Sequence, residues 1–337
     1  MTAIDPELLP GARNAVRVCL GVQPHERVTV ITDASCLHIA RALVHEVRDV
    51  GAPCTMFVLE EVAPRPLARL PDVVAADLER SAVSIFAAHA QTNELGSRMQ
   101  MTDIVNRRRM RHAHMVNITD QIMRDGMRAD YRAVDRVSTR VYDIVRRARA
   151  IRATTPAGSD IRADLDPQLR WVKTSGLISP DKWGNLPGGE VFTSPGNVNG
   201  TFVIDGVVGD WLCDRYGNLR DSPLTVTVRE GRLVDAHSEN AALRDDFWAY
   251  THTDENSDRV GEFAIGTNIE LTAVIGHILQ DEKFPGVHIA FGNPYAAHTG
   301  ATWYSSTHID VVGTQFDIWV DDEKIMENGK FLGAVTS

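Results

Sequence analysis

The sequence lacks the features that mark several large classes of protein. Its 337 residues include four cysteines, and no two of them form a Cys-x-x-Cys pair. We therefore expect buried free thiols and no disulfide or thiolate metal site. No apolar run approaches the roughly 20 residues of a membrane span, and no basic segment followed by an apolar run opens the chain, so no signal peptide is predicted. We expect a cytoplasmic protein.

Excess positive charge and phosphate-binding glycine motifs are also missing. The formal net charge is -10, which argues against nucleic acid or an anionic membrane as a partner, because phosphate binding needs a basic face. The first strand-to-helix turn, at residues 32–35, contains neither Gly-x-Gly-x-x-Gly nor Gly-x-x-x-x-Gly-Lys. Without those glycines a backbone cannot approach a pyrophosphate closely, so no dinucleotide cofactor is expected.

The N-terminal half has the pattern of an α/β domain. Residues 28–32 form a β-branched run that predicts a short buried strand, and apolar residues then recur at helical spacing over residues 37–47, before Gly51. A second apolar run follows at residues 54–59. This strand-helix-strand order favours a parallel sheet, and we predict a Rossmann-like domain over residues 1–150.

The C-terminal half is predicted to be a strand-rich α+β domain over residues 151–337. Its apolar segments are short and punctuated by glycine. Two of the punctuation points, Glu230–Gly231 and Asn328–Gly329, are hairpin signals. Apolar residues at helical spacing also predict one helix over residues 271–279.

This second half contains a set of potential metal ligands in turn-like and strand-like segments. His308 and Asp310 are two residues apart in a β-branched run, so both side chains project to the same side of a strand. Glycines precede both glutamates of the set, which predicts tight turns that deliver the carboxylates into a pocket. The five candidates are Glu190, Glu262, His288, His308 and Asp310.

The donor atoms of this set are nitrogen and oxygen. Such a mixture suits zinc, cobalt, manganese or iron(II) and is poor for thiol-loving metals. Spacing alone does not choose between these ligands and other acids and histidines of the same half. Those alternatives are His298, Asp205, Asp210 and Asp214.

The segments around the five candidates resemble the aminopeptidase T / aminopeptidase S family of thermophilic-type metallopeptidases. The most specific match is LPGGEVFT at residues 186–193. GEFAIG at 261–266, HIAFG at 288–292 with Tyr295 beyond it, and THID at 307–310 are similar to further family motifs in the same order. The N-terminal half resembles the family more loosely.

This resemblance implies a buried site with two divalent ions (zinc, cobalt or manganese), held by the five candidates with one carboxylate bridging them. A metal-bound hydroxide would attack a peptide carbonyl, and Tyr295 would donate to the oxyanion. Glu190 and Glu262 are catalytic candidates as well as ligands. The expected function is an aminopeptidase that releases N-terminal residues from short peptides, or cleaves a small-molecule amide, as a homodimer.

A second branch of the same superfamily gives the alternative. Its 2,5-dihydroxypyridine ring-cleaving dioxygenases use one iron(II), held by two histidines and one aspartate. That branch has histidine at the position of Glu262, whereas this chain has Glu262 and also Glu190. The hydrolase is therefore favoured over a mononuclear iron(II) ring-cleaving dioxygenase acting on a dihydroxypyridine-like substrate. A catalytically silent binding module is the third hypothesis.

Overall fold

A computed structural model describes residues 4–180, 184–209 and 211–336. The chain forms two compact units. One contains Met1–Arg132 and Gly176–Gly188, and the other contains Ala133–Ser175 and Gly189–Ser337. Both units are discontinuous along the sequence. The domain boundary expected near residue 150 stays a prediction.

The first unit contains a parallel sheet. Strands Val28–Thr32 and Val83–Ala87 are buried along their whole length, as is typical of parallel strands covered on both faces. In sheet order the strands are Cys54–Val58, Val28–Thr32, Val83–Ala87, Arg111–His114 and Gly184–Asn185. The α-helices are Leu9–Arg13, Leu37–Asp49, Leu59–Val62, Asp72–Leu78, Leu95–Arg108 and Asp120–Arg124, with a π-helical turn at Asn14–Cys19 and 3₁₀ turns at Pro6–Leu8 and Gly126–Arg128. The predicted Rossmann-like α/β architecture is confirmed.

The second unit contains two antiparallel sheets among its described residues. One has the order Arg232–His237, Leu224–Arg229, Asn197–Ile204, Asp160–Asp164, Ala150–Thr154, Asp317–Val320, Glu323–Glu327 and Lys330–Phe331. The other has the order Val207–Val208, His308–Val312, Gly286–Gly292, Val260–Gly266, Glu190–Thr193 and Val172–Thr174. The helices are Tyr131–Val145, which begins at the end of the first unit, Trp211–Tyr216, Ala241–Tyr250, Ile278–Asp281, Ala296–Thr299 and Gly333–Thr336.

Both predicted hairpins are present. Glu230–Gly231 and Asn328–Gly329 each join two antiparallel strands, and all four residues have positive φ. Two consecutive positive φ values are what a two-residue hairpin turn requires, because that turn matches the twist of the strands. Local turn chemistry was therefore sufficient to predict these two connections.

The helix predicted over residues 271–279 is wrong. Only Ile278–Asp281 is helical in this region. The buried carboxylate of Asp281 accepts hydrogen bonds from the backbone N–H groups of Ile275, Gly276 and His277. Those groups are thereby held in a loop, since a side chain replaces the carbonyls that a helix would offer them. Among the described residues, no helix is long and apolar enough to cross a membrane.

The two antiparallel sheets share one apolar core. Phe202 stacks on Phe316 with ring centroids 5.6 Å apart, and Phe247 packs edge-on against Phe291 at 5.9 Å. Phe263 and Phe291 come from the sheet that holds the candidate ligands. Because side chains alternate along a strand, the residues next to Phe263 and Phe291 in the sequence face the opposite side of that sheet.

Candidate metal centre

All five candidate ligands lie on one face of the six-stranded sheet. Strand register explains this. Glu262 pairs with Ala290, and Ala290 pairs with Asp310. His288 and His308 each lie two residues before one of these positions, so they share the face. Glu190 joins them because it pairs with Gly266, four residues after Glu262.

The donor atoms form two groups that share Glu262. In the first group, His288 Nε2 lies 3.5 Å from Glu190 Oε2 and 3.4 Å from Glu262 Oε1. In the second, His308 Nε2 lies 3.9 Å from Glu262 Oε2 and 3.4 Å from Asp310 Oδ2. Within each group all donor atoms lie within 4.8 Å of one another. Glu262 thus presents one oxygen to each group, as a bridging carboxylate does.

These separations fit metal coordination better than direct hydrogen bonding. Hydrogen bonds between nitrogen and oxygen are about 2.7–3.2 Å long, and every separation above is longer. Two ligands about 2.1 Å from a tetrahedral ion lie about 3.4 Å apart. His288 Nε2 is buried and has no hydrogen-bond partner among the described residues. The arrangement leaves room for cations between the donors.

A backbone contact sets the orientation of the second imidazole. His308 Nδ1 lies 2.9 Å from the carbonyl oxygen of Asn293, so Nδ1 carries the proton that it donates. In the neutral imidazole, Nε2 is then left with its lone pair toward Glu262 and Asp310. Histidines that bind metals are commonly held in this way by a partner on the other nitrogen.

Crowded carboxylates give the site an excess of negative charge. Burial, with the nearby Asp310 carboxylate, raises the pKa of Glu262. Burial alone would lower the pKa of His308, but Asp310 beside it raises that pKa to about 10. Burial likewise opposes ionisation of Asp310, yet His308 holds its pKa below the usual range. A cation bound here would balance the negative charge of Asp310 in place of His308.

The sequence did not point to a buried lysine in this site. Lys283 Nζ lies 2.7 Å from Glu190 Oε1 and 2.5 Å from Glu282 Oε1, and the lysine side chain is 1% exposed. Burial disfavours the ammonium, but Glu190 and Glu282 raise the pKa of Lys283 above its usual range. Glu282 is the weaker acid of the two, because burial raises its pKa to about 8.

Tyr295 lies beside the second ligand group. Its ring centroid is 4.5 Å from that of His308 and 6.1 Å from that of Phe192. The residue has φ 48°, a left-handed conformation that is uncommon for an aromatic residue and is found where a site fixes the backbone. Desolvation of the phenol and the charge of Asp310 both disfavour the phenolate and raise the pKa of Tyr295 above the usual range, although the residue as a whole is 43% exposed. The hydroxyl therefore keeps its proton.

The two glycines that precede the glutamates have different structural roles, and Gly261 does not form the predicted tight turn. Glu262 lies inside strand Val260–Gly266, where the register shifts between Val260 and Glu262. A Cβ on Gly261 would lie 2.1 Å from the carbonyl oxygen of Gly292. The glycine is therefore needed for close approach of two strands. Gly189, with φ 127°, does precede a strand, and Glu190 is the first residue of it.

The other acids and histidines do not join this centre. His298, Asp205 and Asp214 belong to no three-donor group within the described ranges, and Asp210 lies outside those ranges. A further group, Asp33, Cys36 and His89, occurs in the first unit. The Asp33 carboxylate there already accepts four hydrogen bonds, which explains its burial without a metal.

A comparison with known families identifies the family of this chain. A family model described as thermophilic metalloprotease (M29) matches residues 107–331. The chain belongs to the M29 metalloprotease family. The resemblance derived from the sequence motifs is confirmed, and membership of the family supports a metal-dependent hydrolase that uses a divalent metal.

Curated and solved relatives come from both branches expected for this family. The 2,5-dihydroxypyridine 5,6-dioxygenase of Pseudomonas putida is 24% identical over 197 residues, which is 55% of this chain and 55% of the relative. The match thus spans about half the length of that protein. The solved structure of 2,5-dihydroxypyridine dioxygenase from Pseudomonas putida KT2440 has a TM-score of 0.71 at 15% identity and covers 96% of both chains. AmpT from Thermus thermophilus has a TM-score of 0.69 at 17% identity, covering 98% of this M29 chain and 100% of AmpT. At these identities the solved structures establish the fold alone.

Proposed function

We propose that this M29 protein is an aminopeptidase-like hydrolase that removes N-terminal residues from short peptides, or cleaves a small amide, with two divalent ions. The observation that carries the proposal is the sharing of Glu262 between two donor groups. A carboxylate that presents one oxygen to each of two groups is suited to bridge two ions. Zinc, cobalt and manganese all suit such nitrogen and oxygen donors.

In this proposal the five residues Glu190, Glu262, His288, His308 and Asp310 hold the ions. Divalent ions in such a site polarise a peptide carbonyl and acidify water. Glu190 or Glu262 accepts the proton of the attacking water. The Tyr295 hydroxyl donates a hydrogen bond to the carbonyl oxygen as negative charge develops on it. The proton passes to the amine nitrogen as the C–N bond breaks, which balances the hydrolysis.

Hydrolysis of a leucyl anilide tests the proposal. The full chain is stripped with a chelator, reloaded with zinc, cobalt or manganese, and assayed for anilide release with and without oxygen. We expect activity that needs the metal and is independent of oxygen. Glu323→Gln, at an exposed position on the other antiparallel sheet, is a matched control for loss of a glutamate. Inactivity with all three metals on leucyl anilides and dipeptides would contradict the peptidase.

A ring-cleaving dioxygenase is the second candidate, favoured by the identity to the curated 2,5-dihydroxypyridine 5,6-dioxygenase. Such an enzyme needs two histidines and one carboxylate at one iron. Among the described residues, His288 and His308 do not occur in the same three-donor group, which favours the hydrolase. Oxygen consumption with 2,5-dihydroxypyridine by protein that holds one iron(II) per chain would establish the dioxygenase instead.

We also propose that the protein is a homodimer, as the family resemblance implies. Strand Cys54–Val58 is at the edge of the parallel sheet, and an exposed edge is one place where a second copy can pair. Light scattering during size-exclusion chromatography gives the mass directly. A mass of one chain at micromolar concentration would contradict the dimer.

A further inference from the structure

Lys283 introduces a fixed positive charge at one side of the candidate metal centre. Its ammonium lies 2.7 Å from Glu190 Oε1 and 2.5 Å from Glu282 Oε1, and its side chain is almost wholly buried. Glu190 and Glu282 therefore share one cation that belongs to the protein. A buried ammonium in low-dielectric surroundings acts more strongly on its neighbours than a surface lysine does.

This contact leaves Glu190 with one free oxygen. Oε1 is ion-paired with Lys283 Nζ and accepts a hydrogen bond from Thr174 Oγ1 at 2.7 Å. Oε2 is the oxygen that lies 3.5 Å from His288 Nε2. Glu190 is thus arranged to give a single oxygen to an ion, and that carboxylate is already partly neutralised.

Among the described residues, the second donor group has no equivalent of the ion pair between Lys283 and Glu190. Within the described ranges, no lysine or arginine forms an ion pair with Glu262 or Asp310, and the ion-pair partners of these two carboxylates are the two histidines. The two groups therefore have the same number of donors but different charge. A divalent ion in the first group is repelled by the ammonium that pairs with its ligand Glu190, whereas among the described residues no ligand of the second group pairs with Lys283.

We propose that Lys283 makes the two metal positions unequal, by weakening cation binding in the Glu190–Glu262–His288 group. The first ion then binds to the Glu262–His308–Asp310 group, and the second ion binds more weakly beside Lys283. This inference rests on the proposed two-ion hydrolase. It assigns to Lys283 the role of a positioning residue that sets the order and the relative affinity of the two ions.

Calorimetric titration with Zn²⁺ tests the inference on the full chain after chelator treatment. The wild-type protein is expected to bind two ions with dissociation constants that differ by at least about tenfold, which corresponds to about 1.4 kcal/mol. Lys283→Gln keeps a hydrogen-bond donor for Glu190 and removes the charge. In this variant the weaker dissociation constant is expected to tighten by about tenfold, so that the two constants converge.

Two further variants separate charge from positioning. Thr174→Val removes the neutral hydrogen bond to the same oxygen, so it should weaken the second ion, the opposite direction to Lys283→Gln. Lys324→Gln removes a lysine that is paired with Asp317 and Glu327 on the other antiparallel sheet, and it should change neither constant. If Lys283→Gln does not fold, Glu282→Gln/Lys283→Gln removes the ammonium together with one of its two carboxylate partners, keeps Glu190 as a ligand, and is judged by the same criterion.

The outcomes distinguish this inference from the proposed function. Two zinc ions of equal affinity in the wild-type protein, or a weaker second ion in Lys283→Gln, would overturn the role of Lys283 and leave the hydrolase intact. A wild-type protein that binds one ion, with a second gained in Lys283→Gln, would support the inference in its extreme form. Failure of the wild-type protein to bind any divalent ion would overturn the two-ion hydrolase and the inference together.

Discussion

Replacement of Glu262 by glutamine should disable both metal positions at once. Glu262 presents Oε1 to His288 and Oε2 to His308, and both contacts belong to donor groups that contain no other shared residue. An amide has one oxygen and a nitrogen that does not bind divalent ions, so glutamine can serve at most one group. The shapes of the two side chains are nearly the same, and the fold should be retained.

The size of the effect follows from the linkage between metal binding and stability. At a zinc concentration 100 times the dissociation constant of the tighter ion, that ion stabilises the folded chain by about 2.7 kcal/mol, and an ion that binds tenfold more weakly adds about 1.4 kcal/mol. Two ions give about 4 kcal/mol, or a rise in Tm of roughly 8–16 °C at about 2–4 °C per kcal/mol. If the remaining ion in Glu262→Gln binds about 100-fold more weakly, its contribution at the same zinc concentration falls to about 0.4 kcal/mol, and the rise in Tm falls below about 2 °C.

Thermal unfolding of the stripped protein, with and without zinc, measures this difference. Glu262→Gln should match the wild-type Tm within a few degrees when no metal is present, and it should lose most of the zinc-dependent rise. Glu323→Gln should keep the full rise. A Glu262→Gln protein that gains as much stability from zinc as the wild type, and holds two ions by elemental analysis, would show that Glu262 does not bridge two ions.

Three other results are expected. Tyr295→Phe should lower kcat by about 100-fold with little change in KM or metal content, because one oxyanion donor is lost; an unchanged kcat would remove Tyr295 from the mechanism. Burial lowers the pKa of His112 to about 3, below its unfolded value of about 6.5, so stability is intact above pH 6.5 and falls as the pH drops toward 3. From His112 alone, denaturant titrations should show a loss of about 2 kcal/mol between pH 7 and 5. Burial also lowers the pKa of His114, so His112→Asn should still lose stability in this range, but by about 2 kcal/mol less than the wild type. Gly261→Ala, whose Cβ would lie 2.1 Å from the carbonyl oxygen of Gly292, should cost at least about 2 kcal/mol, whereas Gly217→Ala, with open space around it, should cost about 1 kcal/mol for its positive φ.

Two strands of the parallel sheet, Val28–Thr32 and Cys54–Val58, and the two hairpins were predictable because their signals are local. A β-branched run such as Val28–Thr32 and a turn such as Asn328–Gly329 carry their information within a few residues. The helix predicted over residues 271–279 failed because Asp281, beyond the apolar pattern, captures the backbone N–H groups of the loop. A tertiary hydrogen bond outweighed the periodicity.

The candidate ligands could be named from the sequence, but their grouping could not. His308 and Asp310 share a face because they are two residues apart on one strand. That Glu190 shares the same face depends on its pairing with Gly266 across two strands. A shift of one residue in that register would turn Glu190 to the apolar core. Register is a property of the folded sheet, so the sharing of Glu262 became visible only in the structure.

The lysine of this site was hidden for a different reason. Glu282–Lys283 reads as an ordinary solvated pair, since charged residues are rarely buried unless they are paired. Its burial makes sense only once Glu190 is seen within 2.7 Å. Removing one partner from such a pair is costly, whereas removing both together is often tolerated. Stability of the metal-free protein should therefore fall by about 3–5 kcal/mol in Lys283→Met and by much less in Glu190→Gln/Lys283→Met, which removes both charges of this pair. Equal losses in both variants, measured by denaturant titration without metal, would mean that the ion pair does not hold this side of the centre together.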